Sequence, residues 1–282
     1  MKIALSIAGS DSGGGAGVQA DLLTFAAHGV HGTTAITAIT AQNTVTVITW
    51  QAVDPKLVRA QIEAVADDMK ISALKTGMLA NRAIILEVAS VIGDRGFDNL
   101  VVDPVMVAKS GDRLLDSAAE HAYIERLFPL ASLVTPNIPE AEALLSRRIR
   151  SIEDMKDAAM ALGRLGCRAV LIKGGHLVGD PTDVLWDGGT MHELLTPRID
   201  TRNTHGTGCT YSAAITARLA KGQDLETSVR GAKQYLTLAI QESYSPGRGH
   251  GPVRHLNRGA IAALGAPCPA HLAEKGDQNH GR

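Results

Sequence analysis

Apolar and polar positions follow one another along the chain in blocks that change period. KIALSIAG (2–9), TTAITAIT (33–40), ISALKTG (71–77), NLVVDPVMV (99–107), SLVTPN (132–137) and RAVLIKGG (168–175) are short and rich in Ile, Val, Leu and Thr, and they predict strands. Between them, apolar residues recur at helical spacing over about 16–28, 55–69, 80–93, 117–128 and 151–166, several opened by Asp, Ser or Pro as helix-starting residues. Strand alternating with helix predicts an α/β fold with a mostly parallel sheet covered on both faces. TDVLWDGGTMHELLT (182–196) differs, because two short β-like runs flank Asp187-Gly188-Gly189 and predict a hairpin. Two long helices, about 209–221 and 224–243, are expected to follow. No repeat and no linker divides residues 1–258, which are expected to form one domain. The segment from Gly259 to Arg282 is rich in Gly, Ala, Pro and polar residues and lacks sustained periodicity, so a loosely ordered tail is expected.

Composition narrows the picture. A chain of 282 residues can bury about three quarters of its unfolded surface. Hydrophobic residues make up 45% and aromatic residues 3%, so the core is expected to be built of Ala, Val, Leu and Ile, as suits helices packed on a sheet. The formal net charge is −1 and no run of Lys and Arg forms a basic stripe, which argues against nucleic acid as a partner. No apolar stretch approaches the ~20 residues needed to cross a bilayer, so no membrane role is expected. The opening MKIALSIAGSDSGGG runs into glycines rather than a cleavage site. Cys167, Cys209 and Cys268 are too few and too scattered for a disulfide framework or a zinc site, so a cytoplasmic location is expected.

Ligands of open parallel sheets bind beyond the C-terminal ends of the strands. The polar and glycine-rich clusters fall there: GSDSGGGAG (9–17), AQN (41–43), KTGM (75–78), DPVMVAKSG (103–111), TPNIPE (135–140) and KGGH (173–176). The first fails the dinucleotide pattern, which counted from Gly13 and Gly15 asks for glycine where the chain has Val18. Asp21 falls in the first turns of the next helix, where an acid favours the dipole. Asp103 ends an apolar strand, where a lone acid needs a cation or donors; an ordinary turn with Pro104 is the alternative. Asn137 and Glu140 have the i, i+3 spacing of a helix cap. Lys173 lies beside exposed backbone that suits phosphate. NTHGTGCT (203–210) places two glycines before a helix start, where free N–H groups and the dipole favour an anion. Cys209 at that position should have its thiolate favoured, although a small buried cysteine starting a helix also fits.

Taken together, IAGSDSGGGAGVQADLLTF, ITAITAQNT, KTGML, VVDPVMVAKSG, LVTPNIPEAEALL, VLIKGGH, NTHGTGCTYSAAI and GRGHGPVRH resemble the ribokinase-like kinases, and within them the hydroxymethylpyrimidine/phosphomethylpyrimidine kinases of thiamine biosynthesis. The resemblance covers about nine tenths of the chain in order. It implies a ribokinase-like three-layer α/β/α sandwich with a mostly parallel central sheet. It also implies ATP and Mg2+ as cofactors, and phosphorylation of 4-amino-5-hydroxymethyl-2-methylpyrimidine and of its monophosphate. On this resemblance Gly206, Thr207, Gly208 and Cys209 form the catalytic turn, with Cys209 as base or proton relay facing the substrate hydroxymethyl. Gly9, Asp21, Gln42, Met78 and Val105 line the pyrimidine pocket, and Lys109 neutralises phosphate from a flap. Lys173, Thr204, Gly206 and Gly208 contact the nucleotide, and Asp103 and Glu140 support the metal. Relatives suggest a homodimer. The first loop departs from the pattern, since many relatives carry proline and serine in place of Ser12 and Gly13. A pyridoxine or pyridoxal kinase on the same fold is the nearest alternative, with Gln42 favouring the aminopyrimidine. A non-catalytic binding domain and a nicotinamide-dependent oxidoreductase are disfavoured by the intact Asp103, Glu140, Lys173 and GTGC set and by the glycine spacing.

Overall fold

In the computed structural model, which describes residues 1–106 and 117–263, strands β1 (Ile3–Ala8), β2 (His31–Ile36), β5 (Ala73–Thr76), β6 (Leu100–Val102), β7 (Leu133–Val134) and β8 (Val170–Ile172) lie parallel. β9 (Thr182–Trp186) and β10 (Met191–Leu195) form the expected antiparallel hairpin and extend the sheet, whose order is β10-β9-β8-β7-β6-β5-β1-β2. A separate two-stranded sheet pairs β3 (Ala38–Gln42) with β4 (Val47–Ala52).

The helices are α1 (Gly17–Ala27), α2 (Pro55–Asp68), α3 (Arg82–Arg95), α4 (Ser117–Ala122), α5 (Ile138–Leu145), α6 (Ile152–Gly163), α7 (Thr207–Ala220), α8 (Leu225–Gln241) and α9 (Arg258–Ala263). Local chemistry starts several of them. The Asp54 side chain accepts the Lys56 and Leu57 N–H groups ahead of α2, with Pro55 in its first turn. Asn81 caps α3, which stops at Gly96 with φ of 60°.

Because side chains alternate across a strand, the sheet has two buried faces. Leu5, Ile7, Leu74, Val102 and Ile172 pack with Val58, Ile62, Ile84, Val88, Met155 and Leu162 of α2, α3 and α6. On the other face Ala4, Ala73, Val101 and Leu171 meet Phe25 of α1, Ala213, Ala214 and Ala217 of α7, and Val229 and Ala232 of α8. This is the three-layer α/β/α sandwich that the sequence predicts. The small side chains of α7 let it approach the sheet closely, which brings its N-terminus to the strand ends.

Besides β4 and α5, which the sequence pattern did not mark as elements, three stretches differ from it. Residues 33–40 are not one strand: the chain leaves the main sheet at Thr37, whose N–H donates to Ala8 O and whose hydroxyl donates to Met78 O, and then enters β3. The region over 117–128 does not continue as one helix, because α4 gives way to a π-helical turn at Tyr123–Leu127 and a 3-10 turn at Phe128–Leu130 that contains Pro129. Residues 258–263, within or beside the expected loose tail, are helical, with the Asn257 side chain accepting the Ala260 N–H. The remainder of that tail, including Cys268, lies outside the described residues.

Candidate active site

The period-2 alternation that builds the α1/α7 face of the sheet also delivers its chemistry. Two residues beyond the buried apolar Ala4, Ala73, Val101 and Leu171 come Ser6, Lys75, Asp103 and Lys173. Ser6 stands opposite Lys75 in the register of β1 with β5. Four polar side chains are therefore gathered beneath the N-terminus of α7.

They sort into two clusters. In the first, Lys75 Nζ lies 2.8 Å from Asp21 Oδ1 and Ser6 Oγ donates to Asp21 Oδ2 at 2.5 Å, with Lys75 and Asp21 both wholly buried. Burial opposes the Lys75 charge, but the Asp21 carboxylate, with Cys209 and Asp103 nearby, raises its pKa overall. Burial likewise raises the Asp21 pKa against the pull of Lys75. The 2.8 Å contact identifies the pair as charged, since a neutral Asp21 would leave a buried ammonium uncompensated.

In the second cluster, Lys173 Nζ lies 2.8 Å from Asp103 Oδ1 and 4.0 Å from Glu140 Oε2. Asp103 also accepts from the Thr135 and Ser212 hydroxyls. Burial would raise the Asp103 pKa, but Lys173 and Lys75 hold it below the ordinary value. Glu140 is pushed up to about 7 by burial despite Lys173, with the Asp103 charge adding to the rise. Asn137 and Glu140 form a complete capping box at the start of α5: Asn137 N donates to Glu140 Oε2 at 2.7 Å and Glu140 N to Asn137 Oδ1 at 2.9 Å. The cap is thus present, and the same carboxylate also faces Lys173.

α7 begins without a side-chain cap. Its first boundary residue, Gly206, has φ of 77°, and a Cβ there would overlap the Gly15 carbonyl oxygen, so only glycine fits. The Gly206 carbonyl accepts from both the N–H and the hydroxyl of Thr210, and Thr207 Oγ1 donates to Thr204 O. Cys209 stands half-buried in the first turn of α7. The thiolate that a helix terminus favours is not the resting form here. Burial outweighs the Lys75 charge and, with the Asp21 and Asp103 carboxylates adding to it, pushes the thiol up to about 11.

These groups open on one cavity of about 820 Å³. Asp103, Val105, Glu140, Lys173, Thr204, Gly206, Thr207, Gly208 and Cys209 all line it, as do Tyr211, Asp183, Lys233 and Arg198 further along. Gly9, Asp21, Gln42 and Met78 lie elsewhere. A Cβ on Gly9 would touch Met78 Sδ at 3.5 Å, so those two adjoin, and Gln42 Nε2 is 3.4 Å from His205 Nε2. Asp21 is held by Ser6 and Lys75. Cys209 lines the cavity and lies within electrostatic reach of Asp21. Lys109 lies outside the described residues.

Three residues that the sequence pattern did not single out belong to this region. Lys75 could have been found from its place inside the apolar strand ALKT, one alternation beyond Ala73. Asp11 and Ser212 carry no such pattern, and only the fold brings them to His205 and Asp103. Among the described residues, no group of three or more His, Cys, Asp or Glu is arranged to hold a metal by itself. Two buried carboxylates sharing a single lysine suit a cation that keeps part of its water shell and is held jointly by a bound phosphate. No helix among the described residues is long and apolar enough to cross a membrane.

Comparison with known proteins identifies the family and the fold. The family model for phosphomethylpyrimidine kinase matches residues 11–254. A hydroxymethylpyrimidine/phosphomethylpyrimidine kinase of Haemophilus influenzae is 48% identical over 260 residues, covering 90% of this chain and 97% of that protein. The thiamine biosynthesis bifunctional protein ThiED of Geobacter sulfurreducens is 50% identical over 253 residues, but the match spans only 52% of its length and 89% of this chain. Among solved structures, an ADP complex of Bacillus subtilis pyridoxal kinase superposes with a TM-score of 0.85 at 41% identity, covering 90% of this chain and 97% of that one. Phosphomethylpyrimidine kinase from Clostridium difficile gives 0.77 at 43% identity, covering 85% of this chain and 100% of that one. The sandwich is accordingly the ribokinase-like one, and the chain belongs to the phosphomethylpyrimidine kinase family.

Proposed function

We propose that the protein is an ATP-dependent kinase that phosphorylates 4-amino-5-hydroxymethyl-2-methylpyrimidine and then its monophosphate, giving the diphosphate used for thiamine. The observation that carries this reading is the uncapped N-terminus of α7 opening, beside Cys209, on the same cavity as Lys173, Asp103 and Glu140. Backbone donors at a helix start are fixed before reaction and stabilise charge that develops on a phosphoryl group in transit. Lys173 would exchange Asp103 for a nucleotide phosphate, and Thr204, Gly206 and Gly208 line the same cavity.

Mg2+ bound with ATP would neutralise phosphate charge. Asp103 and Glu140 would hold it, and the Glu140 carboxyl, strained towards its neutral form, would gain a counter-charge. The alcohol oxygen attacks the γ-phosphorus, the bond to the β-phosphate oxygen breaks, and ADP leaves. With its thiol neutral, Cys209 acts as a relay: the sulfur takes the alcohol proton as it passes its own to a phosphate oxygen of the product. Gly9, Gln42, Met78 and Val105 would surround the pyrimidine, with the Gln42 amide meeting the donor and acceptor atoms of its edge. Asp21 supports that pocket from behind.

Homology to a pyridoxal kinase keeps the second vitamin as the alternative. The test is ADP release with the pyrimidine alcohol, its monophosphate, pyridoxal or no acceptor. Release dependent on both pyrimidines supports the reading, and equal release with and without acceptor sinks it. A cytoplasmic location suits the free thiols of Cys167 and Cys209. A homodimer suits the exposed Ile39, Ile48 and Trp50 of the β3–β4 sheet; light scattering at the mass of a single chain would reject it.

A further inference from the structure

Two loops far apart in sequence meet at one carboxylate. Asp11 is buried, and its Oδ1 accepts the Gly13 N–H at 2.8 Å while Oδ2 accepts the N–H groups of Gly15 at 3.0 Å and Ala16 at 2.8 Å. The remaining donor comes from the other loop: His205 Nε2 lies 2.8 Å from Asp11 Oδ2. Burial would raise the Asp11 pKa, but His205 and the loop amides bring it below the ordinary carboxylate value. An ionised carboxylate only accepts, so the His205 proton on this side is carried by Nε2. Gln42 Nε2 approaches that same nitrogen at 3.4 Å. The one hydrogen on that nitrogen is given to Asp11, so the two side chains touch without a hydrogen bond, and Gln42 is tied to the Asp11 loop through its backbone: its N–H donates to Ser12 Oγ and its carbonyl accepts the Ser12 hydroxyl, both at 2.7 Å.

The surrounding backbone leaves little play. The His205 N–H donates to Gly251 O, and His205 pairs with Pro252 in an isolated bridge. A Cβ on Gly15 would lie 2.6 Å from His205 Cδ2, so the two loops interlock at glycines. The Asp11 loop runs directly into α1 at Gly17, and His205 directly precedes Gly206 at the start of α7.

We propose that His205 is a positioning residue: through Asp11, whose loop is bonded to the Gln42 backbone by Ser12, it clamps the pyrimidine side of the site to the first turn of α7, fixing the distance between the substrate hydroxyl and the phosphate-binding amides. It holds the Asp11–Gly17 loop against the turn that carries Cys209. The inference rests on the kinase reading above and adds a residue to it.

The test compares His205→Ala with His205→Gln, whose amide Nε2–H falls close to the position of the ring Nε2–H. In His205→Ala the kcat/KM for the pyrimidine alcohol should fall roughly 10- to 100-fold, the weight of a hydrogen bond to a charged group, while the Kd of ATP changes by less than about twofold. His205→Gln should recover most of that loss. A simple loss of folding stability would lower the thermal midpoint of both variants without separating the two substrates. Parent-like kcat/KM in the alanine variant, equal impairment of both variants, or equal loss towards ATP and pyrimidine would overturn the inference. If the alanine variant does not fold, the glutamine variant decides: a kcat/KM within a few-fold of the parent supports the clamp, and a tenfold loss at an unchanged thermal midpoint rejects it. A parent inert towards the pyrimidine defeats the kinase reading and this inference with it, whereas an active parent with an unaffected alanine variant defeats this inference alone.

Discussion

The two lysines beneath α7 look alike in sequence and differ in what the fold does with them. Lys75 is wholly buried and ion-paired with Asp21, so its charge is compensated inside the protein. Lys173 keeps 14% of its side chain open, lines the cavity and is shared by Asp103 and Glu140, so that with both acids ionised its cluster carries an excess negative charge. A closed pair holds a geometry. An open, over-acidic cluster has a place for an incoming cation and a lysine free to change partners, which is what binding a metal-bound polyphosphate asks of it. Cys209 stands between the two and feels both, since Lys75 lowers its pKa and Asp21 and Asp103 raise it.

The largest expected effect is at that shared point. Cys209→Ala should lower kcat by roughly 10²–10⁴-fold, the usual share of proton transfer, with ATP affinity nearly intact because the backbone donors remain. With the thiol at about 11, alkylation by iodoacetamide should be slow at pH 7 and accelerate steadily as pH rises towards that value. Rapid alkylation at pH 7 would show that the helix terminus prevails over burial, and an alanine variant with parent-like kcat would remove Cys209 from the transfer step.

The comparison of the lysines breaks next if their substitutions behave alike. Lys75→Met leaves Asp21 buried without a counter-charge and should cost about 3–5 kcal/mol of stability in chemical denaturation. Lys173→Met should cost under half of that, because Asp103 faces the cavity, and Mg2+ should restore part of it. Its main loss should be in activity. Equal destabilisation, with no response to Mg2+, would erase the distinction between a closed and an open cluster.

The smallest effect sharpens the open cluster. Between the ordinary value of 4.5 and about 7, the folded protein holds a proton on Glu140 that the unfolded chain has released, so the contribution of this group to stability falls as pH rises through that window. Glu140→Gln keeps an oxygen for the cap but cannot titrate. Without Mg2+ it should be more stable than the parent at pH 8, by on the order of 1–3 kcal/mol, with the gap closing towards pH 4.5. Its turnover should need more Mg2+ than that of the parent. A stability difference independent of pH would place the Glu140 titration elsewhere.

How much of this was legible in the sequence follows from what each element depends on. The parallel strands and their helices were visible because burial on both faces imposes a local period, and the hairpin because Asp187-Gly188-Gly189 marks its turn. β3 and β4 were not, because the exposed VITWQA has no buried face to impose alternation, and the break at Thr37 is made by contacts with Ala8 and Met78. At the site, NTHGTGCT announced itself through glycines before a helix, and Asp103 through an acid ending an apolar strand. NIPE showed its cap spacing, but not that Glu140 would also face Lys173. The Cys209 thiol came out neutral although its helix position favours the thiolate, because the opposing burial and carboxylates come from strands and helices that only the fold assembles. The clamp at His205 was illegible for the same reason, as its partner Asp11 lies at the other end of the chain.

The central claim is that this site moves the γ-phosphate of ATP onto the pyrimidine alcohol. The most direct measurement is mass analysis of the products formed from equal concentrations of that alcohol and pyridoxal in one vessel with Mg-ATP. The account predicts the monophosphate and then the diphosphate of the pyrimidine, with ADP formed in step with each phosphate transferred and pyridoxal largely spared. Predominant pyridoxal phosphate, or ADP without any phosphorylated pyrimidine, would contradict it.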